Sequence, residues 1–423
     1  MQTIKNISMK PVAGSAWKIE VRGTIGNGKA IDAQSVADPP EPIRVVREKQ
    51  EKVPLFQERK WLCGSRFKQL AAYECSLSYA LLPDSVMVED EAGKPFRNGV
   101  DYYFDAVWGA FGRTPDSRIG ADDTVYVSYA YSPYRLDAVV VGADGTVYRK
   151  IGQVNGATPL PPELTADETL IGHIFFDRNR PRVSEDMLFP FIEAYSAPAE
   201  NRAFVETALA KTLAKLRAGK PVKILAWGDS VTACNFIADE KQRWTNLFAA
   251  ELRRRFPQSE ITLVNLGWPG RAVNTFQCEP PGSSYNYIEK VVESGADLVT
   301  LEFVNDAYLT MKAEFDRIYD RVAADFKRKG MEPIIVLPHP VRPDWMGLTS
   351  QKNIMEDPRP YVKYLRRWAQ ENEFGIADVS SRFLHLWKEG TPYNSFMLNN
   401  INHPDQRGVK LYAEVLTSLF PQK

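Results

Sequence analysis

Ser230 follows a short apolar run. Ile224-Leu225-Ala226-Trp227 breaks off into Gly228-Asp229-Ser230, inside a stretch, 223–235, that reads K-I-L-A-W-G-D-S-V-T-A-C-N. A buried strand ending in a glycine turn presents the next small side chain at the carboxyl edge of a sheet, where open α/β folds bind ligands. A serine hydroxyl there is placed as a nucleophile is, and it becomes one when a neighbouring base takes its proton. The plain alternative is turn chemistry, because Gly, Asp and Ser all favour turns. Three residues alone do not decide between the two.

The segments after Ser230 alternate between helix and strand patterns. Apolar residues at helical spacing (Trp244, Leu247, Phe248, Leu252) predict a helix over 239–256. Strand-like 261–265 empties into the turn Gly267-Trp268-Pro269-Gly270, and strand-like 297–303 into Val304-Asn305-Asp306. Helices are expected over 287–293, 311–329, 360–372 and 406–419, with further strands at 333–337 and 376–379. Strands alternating with helices of this length imply a parallel sheet, and their near-continuous apolar character suits a sheet covered on both faces.

Gly228-Asp229-Ser230, Gly270, Asn305 and His403 occur in the order and setting of the SGNH (GDSL-type) hydrolases, which this half of the chain resembles from about Pro221 to the C-terminus. The resemblance implies a flavodoxin-like, three-layer α/β/α fold and ester hydrolysis through an acyl-enzyme, without metal or cofactor. Carried over, Ser230 is the nucleophile and His403 the general base. The backbone N–H groups of Ser230 and Gly270 and the side-chain amide of Asn305 form the oxyanion hole. Chemistry agrees: a tetrahedral intermediate needs donors aimed at its oxyanion, glycine lets a backbone N–H approach closely, and asparagine offers a neutral N–H donor.

Two positions depart from the family pattern. Asn400 stands three residues before His403, where the family usually has Asp; its oxygen can orient an imidazole but brings no charge to an imidazolium. Replacing an orienting Asp by Asn costs about 10⁴ in serine proteases, where the tautomer is also wrong, so a dyad with polar support is expected. Phe303 replaces a frequent Gly, and Asp405 is expected to cap the final helix. The chain has four histidines, His173, His339, His385 and His403. His339, after a strand end, is the rival of His403 for the base.

The 423 residues exceed one typical domain. Lys+Arg and Asp+Glu balance at 53 each, so there is no basic footprint for nucleic acid. No apolar run approaches a membrane span, and no leader pattern is visible at the N-terminus, so a cytoplasmic location is expected unless a leader has been removed. Cys63, Cys75, Cys234 and Cys278 lack zinc-site spacing and are expected to be free thiols, with Cys234 an alternative nucleophile close to Ser230. Residues 1–180 carry strand-like pieces at 17–22, 124–131, 136–141 and 146–149, with a hairpin signal at Ala143-Asp144-Gly145. They predict a β-rich, sandwich-like accessory domain, followed by a Pro- and charge-rich connector over 181–201 and a hydrolase domain over 202–423 that opens with a helix over 202–217. Segment 67–82 suits a helix or a strand pair. Tyr102, Tyr103, Trp108 and Phe111 cluster as core or as a sugar platform, while Trp268 and Trp345 are expected on the active rim.

Two functions fit. One is a serine esterase, with a small-molecule or polysaccharide ester as substrate and an O-acetylated carbohydrate the favoured class; lipid and aryl esters remain open. The other is a carbohydrate-binding or scaffold protein with a decayed hydrolase domain, for which Asn400 speaks. The sequence leaves the oligomeric state open.

Overall fold

A computed structural model describes residues 4–26, 28–58, 62–197 and 200–420. The chain divides into two compact units, Met1–Ala194 with Trp387–Ile401, and Tyr195–Leu386 with Asn402–Lys423. Segment 387–401, expected within an unbroken C-terminal domain, groups with the first unit.

The second unit is built on a five-stranded parallel sheet in the order Ile261–Gly267, Val222–Gly228, Leu298–Glu302, Glu332–Leu337, Gly375–Asp378. Numbered along the chain this is 2-1-3-4-5, the order of flavodoxin-like sheets, which binds ligands where the chain reverses direction around its first strand. Val222–Gly228 is that strand, so Ser230 emerges at the switch point. Ile224, Leu225, Ala226 and Trp227 are each at most 1% exposed, so both faces are covered. Trp227, Val299 and Leu337 share one core with Phe315, Ile318, Val322 and Phe326 of helix Lys312–Lys329 and with Tyr361, Leu365 and Trp368 of helix Pro360–Glu371. Helices Trp244–Arg255 and Gln406–Ser418 pack on one another, with Trp244 and Tyr412 stacked at 5.7 Å. No helix among the described residues is long and apolar enough to cross a membrane.

Three expected helices differ in detail. Leu209, at φ −119° and ψ 28°, breaks the run 202–217 into Glu200–Ala208 and Ala210–Arg217. Extended Arg243 separates a 3₁₀ turn, Glu240–Gln242, from Trp244–Arg255. The short helix near 287–293 is a π-turn, Ile288–Val292.

The first unit is antiparallel β structure. Thr124–Tyr131 lies between Ile43–Glu51 and Leu81–Glu89, burying Val125, Val127, Tyr129 and Tyr131 as alternation requires. Tyr134–Val141 and Val147–Lys150 form the expected hairpin, with Gly145 at φ +87° in the turn. Two cores recur between sheets. One joins Ile19, Val21 and Ile31 to Val139, Ile174 and Phe176; the other joins Val125 and Val127 to Tyr102 and Phe111. Tyr102 and Phe111 are therefore core, whereas Tyr103 is 47% exposed. Segment 67–82 contains the strand pair Ala71–Ala72 and Cys75–Ser76. The expected connector is partly structural: Val183, Met187 and Leu188 are buried, and Leu188–Pro190 pairs with Gly172–Ile174. Its residues 198 and 199 lie outside the described residues.

Candidate active site

The turn at Ser230 is shaped by what cannot fit around it. A Cβ on Gly228 would lie 2.2 Å from the Glu302 carbonyl oxygen and 2.0 Å from Thr232 Oγ1. The first strand can therefore run beside Leu298–Glu302 to its last residue only with glycine there. Asp229 follows as N-cap of the one-turn helix Ser230–Ala233, its carboxylate accepting from the Val231 N–H at 2.9 Å. Its other oxygen accepts from the Asn305 N–H at 2.8 Å. One carboxylate thus ties the Ser230 turn to the loop that carries Asn305. Trp244 Nε1 donates to the Val231 carbonyl at 2.8 Å, closing the turn from the helix side.

Ser230 is 6% exposed, and its Oγ lies 2.9 Å from His403 Nε2. His403, 3% exposed, precedes the final helix, whose N-terminus Asp405 caps by accepting from the N–H groups of Arg407 and Gly408. The Phe236 ring stands 5.0 Å from the imidazole. Burial pushes the His403 pKa down to about 4, so the ring is neutral at neutral pH.

His339 sits deeper. It is fully buried, with Nδ1 2.6 Å from the Tyr412 hydroxyl and Nε2 3.0 Å from the Asn402 carbonyl oxygen. Burial, followed by the nearby Arg359 and His403, pushes its pKa down to about 3. Cys234 closes the helix Ser230–Ala233 at φ +53°; it is buried, and burial pushes its thiol up to about 12, so it carries no thiolate near Ser230.

Asn305 is partly exposed, and its Nδ2 donates to the Arg271 carbonyl at 3.3 Å. Gly270 has φ +73° with open space where a Cβ would be, so conformation rather than crowding calls for glycine there. Asn400 is buried at φ +59°; its amide donates to the Ala157 carbonyl at 3.3 Å and accepts from Arg178 Nη2 at 3.0 Å, all within the first unit. Trp268 stacks on Tyr285 at 4.1 Å, with the Arg271 guanidinium 4.7 Å from its ring centroid, and Trp345 is 50% exposed.

Sequence reasoning passed over several supports. Gly267, read as a turn glycine, packs against the helix Ser230–Ala233, where a Cβ would lie 2.1 Å from the Ala233 nitrogen. Glu302 and Asp306 are fully buried beside Asp229. Burial raises Asp306 to about 7 against the hydroxyl of Tyr319 and the N–H of Val273, and burial together with Asp229 raises Glu302 well above the carboxylate range. Asp229 is likewise lifted to about 7 by burial, opposed by the N–H groups of Val231 and Asn305. An acidic residue at a strand end signals only a turn; its burial depends on the helices that cover it.

No protein-family model matches the chain, and no curated protein matches it. Among solved structures the chain is similar to a two-domain esterase active on acetylated mannans, with 17% identity and TM-score 0.40, covering 51% of this chain and 52% of that one. The chain thus spans about half the length of that esterase. It is also similar to an acetylxylan esterase from Geobacillus stearothermophilus, with 17% identity and TM-score 0.38 over 47% of this chain and 93% of that one. A third is an alpha/beta hydrolase from the metagenome of Lake Arreo, Spain, with 19% identity and TM-score 0.37 over 47% and 96%.

Proposed function

We propose that the chain is a serine esterase of the SGNH (GDSL) kind that removes O-acetyl groups from a carbohydrate. The observation that carries this reading is the 2.9 Å approach of His403 Nε2 to Ser230 Oγ at the switch point of a parallel sheet. The Ser230 hydroxyl attacks the ester carbonyl while His403 Nε2 takes its proton; the C–O bond to the alcohol then breaks as the imidazolium returns that proton to the leaving oxygen. Water, deprotonated by the same ring, hydrolyses the acyl-serine. The N–H groups of Ser230 and Gly270 and the Asn305 amide receive the oxyanion. The nucleophile's 6% exposure favours a small acyl group. The appended β-rich unit and the aromatic residues Trp268 and Trp345, on loops after parallel strands, motivate a sugar on the alcohol side.

Hydrolysis of p-nitrophenyl acetate, butyrate and octanoate, followed by acetate release from acetylated xylan and mannan, tests the reading. Highest turnover on acetate, abolished by Ser230→Ala, is the expected result. Preference for octanoate would replace the acetylesterase by a lipase, and binding of polysaccharide with no turnover of any ester would favour the scaffold.

Two further outcomes follow. Asn305→Ala is expected to lower kcat by about 10²–10³ with KM little changed, as loss of one oxyanion donor does; steady-state kinetics on the acetate ester checks it. The His403 ring must be neutral to act, so activity is lost as pH falls through its folded-state pKa. The acid limb of kcat/KM is expected near pH 4 rather than at the ordinary imidazole value of 6.5.

A further inference from the structure

The loop that carries His403 is gripped from inside the second unit by a second histidine. The Asn402 carbonyl can only accept, so His339 Nε2, 3.0 Å away, holds the proton of that ring. Nδ1 is then bare, and the Tyr412 hydroxyl, 2.6 Å away, donates to it. The same hydroxyl accepts from the His339 backbone N–H at 3.3 Å, which leaves its own proton free for Nδ1. The Asn402 carbonyl therefore sets the tautomer of His339, Tyr412 satisfies the bare Nδ1, and His339 donates to the peptide carbonyl immediately before His403.

The histidine is held in turn by an arginine. Arg359 Nη2 donates to the carbonyls of Pro338 at 3.0 Å and His339 at 2.8 Å. Its guanidinium is paired with Asp357 through bonds of 2.8 and 2.6 Å, and Ser380 Oγ donates to the same carboxylate at 2.9 Å. Arg359 Nη1 reaches the Tyr361 hydroxyl at 3.1 Å, and that hydroxyl donates to the Val304 carbonyl at 3.3 Å, one residue before Asn305. His339, Tyr361 and Tyr412 are fully buried, and Arg359 and Asp357 are 6% and 5% exposed. A satisfied polar network in such a setting holds its members in one arrangement.

We propose that His339 is a positioning residue for the base: with Tyr412 satisfying its Nδ1, it fixes the Asn402–His403 peptide and so aims His403 Nε2 at Ser230. The proposal rests on the esterase reading for its kinetic consequence and on the hydrogen bonds alone for its structural one. A reacting group misplaced by about 1 Å costs about 10² in rate. The donor to Asn402 is one N–H, and the terminal amide of glutamine can supply it, whereas methionine fills the space without a donor.

The test compares His339→Met, His339→Gln and Tyr412→Phe in the full chain, with Ser230→Ala as the reference. His339→Met is expected to lower kcat by about 10² with KM little changed, and His339→Gln to restore most of that loss. Tyr412→Phe leaves Nδ1 without its hydroxyl partner and is expected to fall between them. A second readout is independent of activity. With four histidines in the chain, the His403 ring signal can be assigned in NMR by its loss in His403→Asn. Among the groups that face the two rings are Ser230 and the Phe236 ring at His403, and Tyr412, the Phe383 ring and the Arg359 charge at His339. In His339→Met the His403 midpoint is expected to rise from about 4 towards 6.5 as its loop loosens and water enters; His339→Gln should hold it low. A folded His339→Met protein with an unmoved His403 midpoint and wild-type kcat would overturn the proposal while leaving the esterase intact. Activity persisting in Ser230→Ala would remove the esterase reading, and the NMR midpoint would still decide whether His339 positions His403. Equal loss in the Met and Gln variants would assign the effect to packing and reject the hydrogen bond.

Discussion

Ser230→Ala and His403→Ala are expected to lower kcat by the same factor, on the order of 10⁶ where such a unit is fully assembled, and the double variant is expected to lose no more. The reason is that the two atoms 2.9 Å apart perform one event. Without the ring the hydroxyl keeps its proton, and without the hydroxyl the ring has nothing to activate. A smaller common factor would measure how far this pair falls short of a fully assembled unit, Asn400 having its amide on Ala157 and Arg178. Free imidazole in the assay separates the variants: it should restore part of the activity of His403→Ala, where it can occupy the vacated space, and none to Ser230→Ala. Additive losses in the double variant would mean that the two residues act in different steps.

The second large effect is expected at Asp229, although its carboxylate touches no reacting atom. Its two oxygens hold the N–H of Val231 and the N–H of Asn305. Asp229→Ala leaves both donors without this partner beneath the site, each at a cost of about 1–3 kcal/mol, and releases the nucleophile turn from the oxyanion loop. Misplacement of the nucleophile and loss of oxyanion stabilisation together are expected to lower kcat by about 10³–10⁴, with a fall in Tm in the same sample. Asp229→Asn keeps one acceptor and turns an N–H₂ towards the other donor, so it should recover part of the stability and less of the rate. A normal kcat in a destabilised Asp229→Ala protein would show that the two loops keep their relation by other means.

The legible parts of the fold were those where one strand or turn carries its own reason. Thr124–Tyr131 alternates because one face is buried, and the run ending at Trp227 is continuous because both faces are. The switch-point serine could be read from Gly228-Asp229-Ser230, since a strand end and a turn suffice to place it. Contacts between distant segments were not legible. Gly267 looked like part of a turn, and its real constraint is Ala233, thirty-odd residues earlier. Asn400 stood at the right spacing from His403 to support a ring, yet its left-handed backbone and its bonds to Ala157 and Arg178 belong to residues far away in the chain. His339 looked like a rival base because it follows a strand end, and only its bonds to Tyr412 and Asn402 show both of its ring nitrogens engaged inside the unit. The break at Leu209 has no signal in helical periodicity, which counts side chains and not backbone angles.

The excursion of residues 387–401 into the first unit bears on how the polypeptide can be made. Trp387 joins Tyr134, Leu136, Phe175 and Phe189 in a buried cluster, and the Gly390 carbonyl lies 2.6 Å from His173 Nδ1. During vectorial synthesis these late residues leave the ribosome after nearly all of the second unit has emerged. The β-rich unit therefore receives Trp387 and Gly390 only after most of the second unit has been made. A gene cut at the apparent boundary near residue 200 would take Trp387 from Phe175 and Phe189 and the Gly390 carbonyl from His173, so a stable β-rich unit needs residues 387–401 as well.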